Sequence, residues 1–373
     1  MSGDMSGLDG AGILAVQDIT AMAAGGGIAT TRPFDADQIQ PASLDLRLGT
    51  LAYRVRASFL PGPDLSVEAK IRALTLHVVD LSQGAVLETG CVYVVPLMES
   101  LALPSDVSAS ANPKSSTGRL DVFTRVICDR TRAFDTIPAG YHGPLYIEIS
   151  PRTFPVLVRA GSRLSQIRFR RGDTRLGDAD LAELHARETI VSGGDAVFQG
   201  GLTLSIDLQG TATAPSGHGN RVGWRAKRHT GVVDVDRKAG LDALDFWEPI
   251  DNRGRTSLIL DPDEFYILVS REAVHVPPDY AAEMVPFDPL VGEFRVHYAG
   301  FFDPGFGHAE AGGAGARAVL EVRSHEVPFI LDHGQSIGRL VYERMRVRPE
   351  RLYGETGSNY QAQGLKLSKH FRA

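Results

Sequence analysis

Alternation with a period of two recurs along the chain and marks strands. Leu145, Ile147 and Ile149 alternate with Tyr146 and Glu148, so a strand there sends aliphatics to one face and a carboxylate to the other. Leu44, Leu46 and Leu48 alternate with Ser43, Asp45 and Arg47 in the same way. Further strands are predicted around residues 51–55, 74–79, 85–87, 92–96, 156–158 and 164–170, separated by Gly, Pro and Asp at all-β spacing. Helical patterning is modest. Residues 13–24 place Ile19, Met22 and Ala23 on one face and end in Gly25-Gly26-Gly27, and Leu181, Leu184 and Ile190 fit a short helix capped by Asp178.

The second half repeats the first. At the offset of 173 residues that separates Glu148 from Glu321, Leu87 falls on Leu260, Tyr93 on Tyr266, Glu99 on Glu272 and Pro113 on Pro286. Such ordered matches within similar strand patterns point to an internal duplication. Two β-rich domains are therefore expected, residues 1–172 and 201–373, joined by a linker at 173–200. The closing stretch 353–364 is polar, aromatic and Gly-punctuated, and reads either as a closing arm or as a frayed end.

Composition narrows the class. At 373 residues, 43% hydrophobic and 23% charged, the chain has the make-up of a soluble globular protein with room for two cores. A net charge of -6 argues against a nucleic-acid surface over the whole molecule, while leaving room for a small anion held by local Arg or Lys. The run from Arg221 to His229 is read as a solvated loop. Cys91 and Cys128 suggest no disulfide framework, and there is neither a membrane-length apolar run nor a signal sequence, so a cytoplasmic protein is expected. The Gly-rich 311–315 lacks a P-loop ending, and the eleven histidines, His325 and His333 among them, show no ligand spacing.

On strand geometry alone, Glu148 reads as an exposed carboxylate on a sheet's solvent face. Its company changes that. Ser-Ser-x-x-Arg at Ser115 to Arg119, Asp135 followed by Gly140-Tyr141-His142-Gly143, the strand ending in Glu148 and the tail Tyr360-Gln361-Ala362-Gln363-Gly364 together resemble the dCTP deaminase branch of the dUTPase superfamily, in its double-length form. The resemblance implies a mainly β chain of two tandem distorted β-barrel or jelly-roll domains (dUTPase-like, β-clip) with a few short helices. It also implies assembly around a threefold axis as a homo-oligomer, with dCTP or dUTP as ligand.

By the same resemblance, Glu148 is the catalytic glutamate, with Ser115 and Arg119 assisting. Lys114, Ser116, Asp135 and Tyr146 lie on the substrate, and Tyr353, Asn359, Tyr360 and Gln363 close over it. The family's Arg at the head of the Ser-Ser motif is Lys114 here, which keeps charge but loses a bidentate fork. The second half lacks Ser-Ser-x-x-Arg but keeps Glu321, with Arg295 and His297 nearby, as a possible second site. No zinc-deaminase signature of the H-x-E and P-C-x-x-C kind is present, so a side-chain base is expected without zinc, and Mg2+ with the triphosphate alone. Three readings follow: deamination of dCTP to dUTP and ammonia, a dUTP pyrophosphatase or bifunctional enzyme, and a non-catalytic nucleotide-binding assembly module.

Overall fold

The computed structural model describes residues 10–212, 220–286, 294–297, 300–324, 326–355, 360 and 363–372, with backbone alone at 211–212, 286 and 294–297. The chain divides into two units. The first is Met1–Thr174 with Val232–Arg237 and Arg344–Arg351; the second is Arg175–Gly231 with Lys238–Glu343 and Leu352–Ala373.

In the first unit, one sheet runs Thr75–Asp80, Leu51–Val55, Val92–Ala102, His142–Pro151, Val122–Cys128, all antiparallel. A second sheet places Arg163–Arg171 between Gly12–Ile13 and Val107–Pro113 and also pairs it with Leu44–Arg47. The alternation predicted for the central strand holds in direction, but both of its faces are covered. Leu145, Ile147 and Ile149 are fully buried, and so is Glu148, at 1% exposure. The solvent-facing carboxylate that strand geometry alone suggests is therefore not what the fold contains. The cause is helix Val67–Leu74, which lays Val67 and Ile71 on a cluster with Val55, Val94, Ile127 and Tyr146, on the face that Glu148 shares with Tyr146. Ser66 caps this helix by accepting the Ala69 N–H at 3.2 Å.

The second unit orders its main sheet Asn220–Ala226, Phe265–Val274, Ala316–Ser324, Phe294–His297. This is the order of the first unit's Leu51–Val55, Val92–Ala102, His142–Pro151 and Val122–Cys128. Tyr93 accepts the Glu88 N–H through its hydroxyl, and Tyr266, 173 residues on, accepts the Asp261 N–H likewise.

Two sequence readings change. Of the stretch expected as a linker, residues 175–200 carry helix Asp178–Arg187, and Leu176, Leu181, Leu184, Ile190 and Val191 join the second core, so they pack as part of that unit. Asp178 does not cap the helix, whose N-cap is Gly177; it accepts the N–H groups of Gly200 and Gly201 instead. The run from Arg221 begins inside strand Asn220–Ala226, and Arg221, Arg225 and Arg228 each pair with a carboxylate, of Asp251, Glu248 and Glu264.

Candidate active site

The Ser-Ser-x-x-Arg segment folds as a single helical turn, Ser115–Gly118, between strands Val107–Pro113 and Val122–Cys128. Lys114 is its N-cap and Arg119 its C-cap, so the four residues expected to act together, Lys114, Ser115, Ser116 and Arg119, do share one turn. Ser116 and Arg119 are buried and Ser115 is half-buried. The turn's end is tied to the end of the central strand: Asp121 accepts the Arg152 N–H at 2.9 Å and the Thr153 hydroxyl at 2.6 Å. Lys114 is less available to a phosphate than its place in the motif implies. Its ammonium pairs with the buried carboxylate of Asp45, which also faces Arg163 at 3.5 Å.

Glu148 sits on the central strand directly opposite Arg125 on one side and Val94 on the other. Its Oε1 accepts from Arg125 Nε at 3.1 Å and Nη2 at 2.6 Å. Its Oε2 is buried and accepts no hydrogen bond among the described residues. The guanidinium of Arg125 lies 3.5 Å from the ring centre of Phe134 and 4.7 Å from that of Phe123, and Nη2 also donates to Ser58 Oγ at 2.6 Å. The guanidinium on Glu148 thus belongs to Arg125, a residue the sequence reading did not single out. The signal lay in register: the strand at 122–128 sets Arg125 level with Glu148.

Tyr146 shares Glu148's face, and burial pushes its phenol up to about 12, so it stays protonated near neutrality. Asp135 adopts a positive φ of 57° and binds the neighbouring strand: its Oδ1 accepts the Val126 N–H at 2.7 Å. The tail residues belong to the second unit. Tyr353 packs on Phe306 at 5.5 Å between ring centres, Tyr360 accepts the Lys369 N–H through its hydroxyl, and Gln363 exchanges backbone and side-chain hydrogen bonds with Arg317. Asn359 lies outside the described residues, as does His325; His333 accepts the Leu208 N–H.

In the second unit Glu321 is 5% exposed, with Ile267 and His297 opposite it in register. The side chains of Arg295 and His297 lie outside the described residues. Among the described residues, no three His, Cys, Asp or Glu side chains gather as for a metal ion, and no helix is long and apolar enough to cross a membrane.

Comparison with known proteins bears on both units. A family model described as the 2'-deoxycytidine 5'-triphosphate deaminase (DCD) N-terminal domain matches residues 10–173, and its C-terminal domain counterpart matches residues 177–371. The crystal structure of 2'-deoxycytidine 5'-triphosphate deaminase from Agrobacterium tumefaciens is 66% identical, with a TM-score of 0.85, over 91% of this chain and 99% of that one. A dUMP-forming dCTP deaminase of Beutenbergia cavernae is 31% identical over 158 residues, 42% of this chain and 78% of its own. A dCTP deaminase of Haloarcula marismortui is 31% identical over 137 residues, 35% of this chain and 66% of its own. With both halves matched by the two domains of one family, and with the mainly β, dUTPase-like fold that goes with it, the chain belongs to the dCTP deaminase family.

Proposed function

We propose that the chain hydrolyses dCTP to dUTP and ammonia with Glu148 as general base. One observation carries this assignment: Glu148 is a buried carboxylate with one oxygen held by Arg125 and the other, Oε2, without a hydrogen bond among the described residues. A buried acceptor left unpaired costs stability, and it persists where chemistry uses it. Oε2 takes a proton from water as the water attacks C4 of cytosine. The C4=N3 electron pair moves to N3, which takes that proton from the carboxyl; the carboxylate then takes the proton of the new C4 hydroxyl and passes it to the 4-amino nitrogen, and ammonia leaves as the C4 oxygen becomes the carbonyl of uracil. Water supplies the oxygen, so the step balances without an oxidant or reductant.

Ser115, half-buried in its turn, is proposed to position the attacking water, and Arg119 to offset charge developing on the base. The triphosphate is proposed to arrive as its Mg2+ complex, in which the ion would offset the phosphate charge. Two units with one strand order support an internal duplication. Three such chains would supply six domains for two threefold rings. The two unpaired cysteines are consistent with a cytoplasmic setting.

A second reading rests on register. His297 lies directly opposite the buried Glu321 in the strand register of the second unit, which keeps Glu321 as the alternative base. Ammonia release from dCTP by Glu148→Gln and Glu321→Gln decides between them. Glu148→Gln is expected to lose at least about 10²-fold in kcat with dCTP binding retained, and Glu321→Gln to stay within about threefold. The reverse pattern would move the base to the second unit.

A further inference from the structure

We infer that Arg125 is a positioning residue for the deamination: it pins Oε1 of Glu148 and so reserves Oε2 for the water proton. This rests on the reading of Glu148 as the base. The bond pattern is the first argument. An arginine that only neutralises a carboxylate commonly forms two parallel hydrogen bonds, one to each oxygen. Here Nε and Nη2 both converge on Oε1, at 3.1 and 2.6 Å, and Oε2 is left with no hydrogen bond among the described residues.

The second argument is what holds the guanidinium there. The rings of Phe134 and Phe123 pack on it at 3.5 and 4.7 Å, which favours the cation and limits rotation of its plane. Ser58 takes a further hydrogen bond from Nη2 at 2.6 Å. Register supplies the third argument, because strand pairing fixes Arg125 opposite Glu148 independently of side-chain choice. Glu148 is thus oriented by a neighbour that is itself locked by packing, which is what a base needs to meet water in one geometry.

A purely structural ion pair between two strands would share the short distances, so the test must separate the two roles. The full chain is assayed for ammonia release from dCTP with Mg2+, using Arg125→Ala, Arg125→Lys and Phe134→Leu. Arg125→Ala is expected to lose about 10²-fold in kcat with KM within about threefold. Guanidinium ion at millimolar concentration is expected to restore at least about tenfold of that loss, with no effect on Glu148→Gln. Arg125→Lys is expected to fall between the two, since it keeps the charge but not the fork.

An unchanged kcat, a loss confined to KM, or a folded Arg125→Ala that guanidinium does not rescue overturns the inference. Should Arg125→Ala fail to fold, Phe134→Leu carries the test, because it keeps the ion pair and removes one ring. It is expected to lower kcat about tenfold at constant KM, and a wild-type kcat overturns the proposal. Activity in Glu148→Gln would instead remove the base assignment itself. A dead Glu148→Gln beside a fully active Arg125→Ala sinks only the role given to Arg125.

Discussion

Arg47 and Glu99 show what a single buried carboxylate demands. Glu99 accepts from the Arg47 N–H and Nε and from Gln38 Nε2, each at 2.8 Å, and both side chains of the Arg47–Glu99 pair are fully buried. The other guanidinium nitrogens of Arg47 bond to the carbonyls of Pro33 and Arg32 and to Thr30 Oγ1. The matching residue 173 positions on, Glu272, is satisfied instead by the backbone N–H and the hydroxyl of Ser205. Removing the cation from the first arrangement strands a buried charge; in the second, Glu272 has no cationic partner to lose among the described residues. Arg47→Met is therefore expected to cost about 3–5 kcal/mol, and Ser205→Ala only about 1–3 kcal/mol, in denaturant unfolding. Equal losses would show that the cation adds nothing. Residue identity of this kind was half legible. The match of Glu99 to Glu272 is visible in the sequence, whereas their partners lie 52 and 67 residues away and become neighbours only through strand pairing.

Elements were easier to read than their partners. Alternation of Leu with charged residues marked the strand at Leu44–Arg47, and short runs rich in apolar residues between turn residues marked Leu51–Val55 and Ala85–Leu87. Helix Val67–Leu74 escaped notice because it buries only Val67 and Ile71, too few apolar positions to show a period. The strand at Asn220–Ala226 looked like a solvated loop because its arginines find their carboxylates directly across the ladder, Arg221 opposite Asp251 and Arg225 opposite Glu248. The turn after Leu202–Ser205 shows how one side chain staples elements. Asp207 accepts the N–H groups of Gln209 and Gly210 and a hydrogen bond from Arg317 on strand Ala316–Ser324. Burial alone would raise its pKa, but the Gly210 amide and the Arg317 guanidinium more than offset it and hold the carboxyl below the ordinary 3.8. The folded pKa is thus depressed, so its contribution is full above the unfolded value and is lost as pH falls through the folded one. Asp207→Asn should flatten the fall in the second unit's denaturation midpoint below about pH 4 while lowering the midpoint at pH 7. A fall as steep as wild type's would assign acid sensitivity to other carboxylates of that unit, such as Asp178, which the Gly200 and Gly201 amides also hold low.

At the scale of the whole molecule, sequence order and fold order part company. The first unit is completed by Val232–Arg237 and Arg344–Arg351, which no local pattern assigns to it. Val233 and Asp234 add a parallel strand beside Val156 and Leu157, and Arg159 grips Asp234 through two hydrogen bonds at 2.7 and 2.9 Å. The later segment docks on the first strand: the Arg346 N–H donates to the Ile13 carbonyl at 2.8 Å, and its guanidinium pairs with buried Asp18. Gly12 allows this approach, since a Cβ there would lie 2.3 Å from the Arg346 nitrogen. Residues 1–174 alone would leave Asp18 without its guanidinium and Val156 without a neighbour on one edge. Such a fragment is expected to unfold with a stability lower by about 2–4 kcal/mol than the first unit in the full chain. Gly12→Ala in the full chain should reproduce part of that loss, because it obstructs one of the two segments and leaves the other in place. If the fragment's denaturant midpoint equals that of the first unit's transition in the full chain, the returning segments contribute no stability and the first unit is complete by residue 174.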